Sequence, residues 1–184
     1  MQSGRIFFKG NPWPEGHPIK TFRWTARATC WNVYFSFHLE TEHYEAEREY
    51  DIDNDENEYE TDWEAPTAWG AYHHCILSSD NYHNGEFKVC RASKYRPEHF
   101  DGLTIKLDEN PGDINVFEDR HFHIYLQCHD ATAYQNITFR RVAGTNLFNI
   151  DWSGRIALAY VGEDEYKYEF EARINGVPFP KLTA

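Results

Sequence analysis

Apolar residues occupy every second position over long stretches of this 184-residue chain, and this pattern constrains the fold most. Successive side chains of a β-strand point to opposite faces, so a period of two is typical of a strand with one buried face. A helix would repeat its apolar residues every three or four positions. The most regular apolar set, separated by charged residues throughout, is Tyr166, Tyr168, Phe170, Ala172 and Ile174.

Three further segments, 22–30, 33–39 and 122–128, show the same alternation. The apolar positions are even-numbered in the first and odd-numbered in the second. A one-residue slip moves every side chain to the other face of a sheet. The change of parity therefore predicts a bulge or a strand break near Trp31 and Asn32.

Turn signals separate many short candidate strands, and the aromatic share of 17% favours strands over helices. Turns are predicted at Ser153-Gly154 and at Asn175-Gly176, and 67–78 is among the predicted strands. No convincing amphipathic helix is present. The sequence predicts one all-β domain over 1–184: a jelly-roll-like antiparallel β-sandwich of about ten strands with very little helix. The alternative is a closed, lipocalin-like β-barrel.

The negative charge is concentrated in one segment, 40–64, which we call the acidic band. It holds 13 of the 30 acidic residues and one of the 18 basic residues, so it accounts for the whole formal net charge of −12. Such a band repels nucleic acid and anionic membranes and attracts a cation or a basic protein partner. We expect no nucleic-acid partner and no membrane partner.

The first ten residues contain no apolar segment of the kind that directs secretion, which leads us to expect a cytoplasmic protein. The four cysteines (Cys30, Cys75, Cys90 and Cys128) form no C-x-x-C motif. In a reducing compartment we expect them to be free, buried thiols.

His121 and His123 are the first candidate site. On a strand, residues two apart share a face and lie about 6.6 Å apart, so two imidazoles can bind one divalent metal. A third ligand would come from a neighbouring strand, with His38, His43, His73 and His74 as candidates. The alternative interpretation is two half-exposed polar strand residues.

A second candidate metal site lies in the acidic band. Asp51, Asp53 and Asp55 have the alternate spacing of oxygen ligands in calcium loops. Glu56 stands where such a loop requires glycine, and no helices are predicted on either side. The alternative interpretation is a solvated acidic hairpin tip.

The third candidate site consists of tryptophans in predicted loops or near turns. Exposed indoles stack on sugar rings or on partner side chains at a low cost in conformational entropy. We predict that a ligand binds at one or more of Trp13, Trp63, Trp69 and Trp152.

Motifs for a serine nucleophile, a phosphate loop or a dinucleotide are absent from the sequence. The leading hypothesis is therefore a soluble, non-catalytic module that binds a small molecule, a glycan or a protein partner through loop aromatics and the acidic band. One alternative is a metal-dependent enzyme centred on His121 and His123. Another is an acidic inhibitor or immunity-type protein that covers a basic partner. No cofactor is assured, and a divalent metal is the one candidate.

Overall fold

The computed structural model describes residues 3–47, 57–80 and 86–183, and only the backbone of Phe117. Within these ranges it contains eleven strands, two short α-helices and 3₁₀ turns. The helices are α1 (Pro66–Gly70) and α2 (Pro97–Phe100). The 3₁₀ turns are Ala92–Lys94, Phe117–Asp119 and Ala159–Val161. The strands are β1 (Ser3–Phe8), β2 (His17–Ala28), β3 (Asn32–Thr41), β4 (Ile76–Ser78), β5 (Phe87–Arg91), β6 (Thr104–Leu107), β7 (His123–Tyr125), β8 (His129–Arg141), β9 (Leu147–Ala157), β10 (Tyr168–Pro178) and β11 (Leu182–Thr183).

Eight antiparallel strands close into a barrel in the order β2-β1-β10-β9-β8-β7-β4-β3, and pairing of β3 with β2 completes the ring. β5 pairs with the first half of β3, whose second half pairs with β4, and β6 pairs with the part of β8 that follows its pairing with β7. β11 runs parallel to β2. The all-β prediction is confirmed, and the closed barrel describes the molecule better than the sandwich does. Alternation could not separate the two, because both architectures bury one face of every strand.

Neighbouring strands of the barrel pair over very different lengths. β8, β9 and β10 pair along most of their length. β1 meets β2 only through Arg5↔Pro18 and Ile6↔His17, and β7 meets β8 only at the hairpin next to Tyr125. The barrel therefore consists of two well-paired regions connected by two short seams. The β1–β2 seam is the one that matters for the site below.

The interior follows the predicted alternation. Val33, Phe35, Phe37 and Leu39 are fully buried along β3, as are their counterparts on the other long strands. β2 ends at Ala28 and β3 begins at Asn32, which confirms the strand break predicted near Trp31.

Aromatic side chains fill both ends of the barrel. β10 begins at one group, where Tyr168 stacks on Trp63, and ends next to the other, where Phe179 follows. We name the first the tryptophan cluster: Phe8, Trp13, His17, Tyr44, Trp63 and Trp69. The second is the phenylalanine cluster: Trp24, Phe35, Phe100, Phe139, Phe148 and Phe179.

Three local predictions are wrong. The predicted strand 67–78 begins with α1, which Pro66 starts at a position where its missing N–H costs nothing, and continues through irregular structure over 71–75, so that only Ile76–Ser78 forms β4. The turn predicted at Ser153-Gly154 lies inside β9, where a Cβ on Gly154 would approach Phe170 to 2.7 Å. Asn175-Gly176 is a register shift within β10 rather than a turn.

All four cysteines are free, as expected. Cys75 and Cys90 are buried, whereas Cys128 is half-buried and Cys30 is exposed. The prediction of buried thiols therefore holds for two of the four. Cys30 is exposed because the chain leaves β2 two residues earlier.

Candidate functional site

A cavity of about 330 Å³ opens beside the β1–β2 seam. The ladder between these strands stops at Ile6 and His17, so the backbones are free to diverge beyond it. Sites for small ligands begin at about 300 Å³, so the cavity is large enough for a small organic group. Its side-chain lining comprises Arg5, Trp13, Glu15, His17, Tyr44 and Glu47.

The loop between β1 and β2 builds one wall of the cavity. The Trp13 N–H donates to Oδ1 of Asn11 over 3.1 Å, and the Gly16 N–H donates to the Trp13 carbonyl over 3.0 Å. Gly16 has a φ of 71°, and a Cβ there would lie 2.6 Å from the Ile6 carbonyl oxygen. Only glycine fits this turn without strain, and the turn holds Trp13 against the cavity.

His17 forms the floor and is neutral. Its ring stacks on Trp69 with a centroid distance of 6.0 Å and an interplanar angle of 14°. Burial, assisted by the positive charge of Arg5, lowers the pKa of His17 to about 4. The Asn11 side-chain N–H donates to Nε2 over 3.1 Å, which leaves the ring proton on Nδ1. The cavity floor is therefore aromatic and uncharged near neutral pH.

An ion pair stands at the mouth of the cavity. Arg5 donates to both carboxylate oxygens of Glu47, over 2.5 and 3.2 Å. These hydrogen bonds raise the pKa of Arg5 and lower that of Glu47. Arg5 also donates to the carbonyls of Glu15 and Gly16, each over 2.9 Å. These two carbonyl bonds hold the Arg5 guanidinium independently of Glu47.

The cavity lining carries more negative than positive charge. The lining carries two carboxylates, Glu15 and Glu47, against the single positive charge of Arg5, with His17 neutral. Its formal charge is therefore −1. Trp13 and Tyr44 lie nearly parallel, with 6.2 Å between ring centroids and 29° between planes. Aromatic faces beside net negative charge favour an organic cation.

The four tryptophans named from the sequence are all buried, so none offers an exposed face on the outer surface. Trp13 alone lines the cavity. The indole N–H groups of the other three donate to protein acceptors over 2.8–2.9 Å. Trp63 donates to the Lys9 carbonyl, Trp69 to the Trp63 carbonyl and Trp152 to Oε1 of Gln135. These three act as core residues whose hydrogen bonds fix their orientation. The exposed indole is that of Trp31, at 80% exposure.

His121 and His123 have different partners. His121 precedes β7, and its Nδ1 lies 2.7 Å from Oδ1 of the buried Asp108. His123 is the first residue of β7, where burial and the neighbouring His38 lower its pKa to about 4. In the described part of the chain, no three histidine, cysteine or acidic side chains come together as a metal-ligand group. The third ligand that the metal-enzyme alternative needs is thus not found among these residues.

The calcium-loop prediction falls outside the described residues, because Asp51, Asp53 and Asp55 belong to the segment 48–56. The described parts of the acidic band, 40–47 and 57–64, lie beside the tryptophan cluster. Tyr44 and Trp63 from these parts belong to the cluster itself, and Glu47 closes the cavity mouth. The band therefore contributes directly to the candidate site.

Sequence reasoning missed the contribution of Arg5, His17 and Glu47. Arg5 and Glu47 are 42 positions apart, and no local pattern links them. His17 is odd-numbered, whereas the buried apolar residues Phe22, Trp24 and Ala26 of β2 are even-numbered. A register shift between Ile19 and Thr21 separates the two parts of the strand, so the alternation did not predict a buried histidine. A second pairing, between His43 and His73, was also missed.

Comparison with known protein families, curated proteins and solved structures finds no match to this chain. Among the described residues, no helix is both long enough and apolar enough to cross a membrane.

Proposed function

We propose that this protein is a non-catalytic binding module whose cavity at the β1–β2 seam takes the cationic group of a small organic ligand. The observation that carries the proposal is the cavity itself, which combines aromatic walls with a net negative lining. The proposal keeps the loop aromatic Trp13 and the acidic band of the leading sequence hypothesis, and it locates both at one opening.

The electrostatics support a cation over an anion. Glu47 is 56% exposed on its side chain, and its pKa is lowered, so it is ionised and within reach of a ligand at neutral pH. An ammonium group placed against the cavity-facing side of Trp13 or Tyr44 gains cation–π attraction of about 0.5–2 kcal/mol. An anion would face Glu15 and Glu47, with Arg5 already engaged by a carboxylate and two carbonyls.

The test uses three probes that share one phenyl ring and differ in charge: phenethylamine (positive), 2-phenylethanol (neutral) and 3-phenylpropionate (negative). Each is titrated into ¹⁵N-labelled protein while the Trp13 indole N–H and the Gly16 amide are followed by NMR. We expect phenethylamine to bind at least about tenfold more tightly than 3-phenylpropionate, which corresponds to about 1.4 kcal/mol. Stronger binding of the carboxylate, or no shift at Trp13 and Gly16 with any probe, would overturn the proposal.

Two variants show whether the charge acts inside the cavity. Glu47→Gln removes the carboxylate at the mouth and keeps the shape, so the preference for the amine is expected to fall. Glu42→Gln is the matched control, because Glu42 is an exposed acid of the same band that does not line the cavity. Equal loss in both variants would mean that the band attracts cations diffusely, without a site at the cavity.

A further inference from the structure

Two exposed histidines face each other where the acidic band leaves the barrel. Nε2 of His43 lies 2.9 Å from Nδ1 of His73, and the ring centroids are 4.9 Å apart. The two residues are 30 positions apart in the sequence and come from the turn after β3 and from the segment after α1. Both side chains are exposed, so solvent and dissolved ions reach the pair.

The backbone sets this pairing. The Tyr44 N–H donates to the His73 carbonyl over 2.7 Å, and the His74 N–H donates to the Tyr72 carbonyl over 2.8 Å. His73 has a φ of 70°, a left-handed conformation that is uncommon outside glycine and asparagine. Tyr44 is buried in the tryptophan cluster, so the turn that carries His43 is anchored to the core. The two ring nitrogens are therefore brought together by the fold and not by chance rotation of long side chains.

We propose that His43 and His73 bind one divalent transition-metal ion of tetragonal preference, of the Cu²⁺ or Ni²⁺ class. Metal–imidazole bonds are about 2.0–2.1 Å long. Two nitrogens at right angles on such an ion are separated by about 2.9 Å, whereas two on a tetrahedral ion are separated by about 3.4 Å. The observed separation is that of the hydrogen bond between the two rings, and it already equals the distance in a right-angled pair. Cu²⁺ or Ni²⁺ therefore requires the rings to reorient without moving the two nitrogens apart, whereas Zn²⁺ requires a wider separation.

Metal binding requires the ring proton of His43 to change its position. In the metal-free pair the Glu45 N–H donates to Nδ1 of His43 over 3.4 Å, so the ring proton of His43 is on Nε2 and is donated to His73. Binding requires the other tautomer of His43, with the proton moved through water from Nε2 to Nδ1. The long hydrogen bond from Glu45 is lost. His73 already presents a bare Nδ1, so the proton that moves is the one on His43.

The surroundings favour a cation. Glu40, Glu42 and Glu45 lie within five residues of His43 on the same segment, and their charge lowers the local potential. The described residues supply no third histidine, cysteine or acidic ligand. Water completes the coordination shell, which gives a surface site that is distinct from the cavity at the β1–β2 seam.

The experiment adds one equivalent of Cu²⁺ to untagged full-length protein at neutral pH and records the EPR spectrum and the Kd by calorimetry. We expect a tetragonal signal with hyperfine splitting from two imidazole nitrogens. His43→Gln and His73→Asn each remove one ligand, and asparagine accepts the left-handed backbone at position 73. Each variant should bind the first Cu²⁺ at least about tenfold more weakly and lose the two-nitrogen splitting.

His99→Gln is the matched control, because it removes a histidine on α2, at the other end of the barrel. It should leave both readouts unchanged, and circular dichroism should show native structure in all three variants. If His43→Gln and His73→Asn bind the first Cu²⁺ with native Kd and splitting, other histidines hold the metal and the proposal fails. The result is independent of amine binding at the cavity, since neither histidine lines it.

Discussion

The two ends of the barrel are both filled with aromatic side chains, but they differ in their polar groups. In the tryptophan cluster the N–H or O–H groups of Trp63, Trp69 and Tyr44 all donate to backbone carbonyls. In the phenylalanine cluster the buried Nε1 of Trp24 has no hydrogen-bond partner among the described residues. One end is fixed by directed bonds as well as by packing, whereas the other depends mainly on packing.

This difference explains why the tryptophan cluster can border a cavity. A hydrogen bond fixes the orientation of a ring even when one face lacks a close neighbour, but dispersion contacts are lost as soon as a gap opens. Tyr44 therefore lines open space without losing its position. Trp13 is held through the backbone hydrogen bonds of its loop. Phe35, Phe100 and Phe139 have no such support and pack against one another with centroid distances of 5.1–6.0 Å.

The largest expected loss of stability comes from creating a cavity in the phenylalanine cluster. Phe100→Ala removes a fully buried ring and should lower the free energy of unfolding by about 3–5 kcal/mol. Trp13→Ala should cost about 1 kcal/mol less despite the larger side chain, because water already reaches the cavity beside it. Urea denaturation measures both. Equal losses would show that the cavity wall is packed as tightly as the core.

The next effect is a dependence of stability on pH that is expected of the tryptophan cluster and not of the phenylalanine cluster. Burial holds the pKa of His17 at about 4, against about 6.5 in the unfolded chain. Between these values the unfolded chain binds the extra proton, so stability falls as the pH drops from about 6.5 to 4. The contribution of His17 is roughly 3 kcal/mol.

The matched measurement is the unfolding free energy of wild type and His17→Gln across this pH range. The variant should show a shallower slope, with the remainder due to groups such as His123, whose pKa is also about 4. Burial raises the pKa of Tyr95, which packs against Phe100 and Phe179 of the phenylalanine cluster, so this phenol stays neutral throughout. An unchanged slope in His17→Gln would contradict the prediction.

A smaller difference in stability is expected between variants of the two buried tryptophans Trp69 and Trp24. Trp69→Phe removes the 2.8 Å hydrogen bond to the Trp63 carbonyl and leaves that buried oxygen without its donor. Trp24→Phe removes a ring of the same kind that makes no such bond. We expect Trp69→Phe to be more destabilising by about 1–2 kcal/mol in chemical denaturation. The comparison of the two ends fails if Trp24→Phe costs as much.

The smallest effect concerns the ion pairs at the surface. Glu47→Gln breaks the pair with Arg5 and should cost less than about 1 kcal/mol, since both side chains are partly exposed to water. Glu98→Gln breaks the similar pair with Arg141 at the other end, 2.6 Å long. Only the first should weaken phenethylamine binding. Loss of amine affinity in both variants would assign the effect to overall charge.

The sequence predicted the buried faces of the strands well. Phe170, Ala172 and Ile174 of β10 point inward as the alternation requires, and so do Phe122, Ile124 and Leu126 around β7. These predictions succeed because the strand period is local and the apolar faces are large. The prediction failed at Ser153-Gly154, where glycine serves a close approach to Phe170 instead of a turn.

The residues that line the candidate cavity were predicted only in part. Trp13 was named for ligand binding and lines the cavity, but Trp63, Trp69 and Trp152 were named by the same reasoning and are core residues. Loop position alone does not tell whether an indole faces out, because loops fold over the barrel ends and bury their aromatics. His121 and His123 were paired by spacing, yet Asp108 holds the first of them.

The sequence by itself determined that the chain is all-β, which residues face the core, and that the negative charge lies in one band. Only the tertiary structure decided that the sheet closes on itself through β2 and β3, and that Arg5 meets Glu47 and His43 meets His73. The physical reason is how far apart along the chain the interacting residues lie. Strand periodicity is set by neighbouring residues, whereas closure and side-chain pairing depend on contacts between segments tens of residues apart.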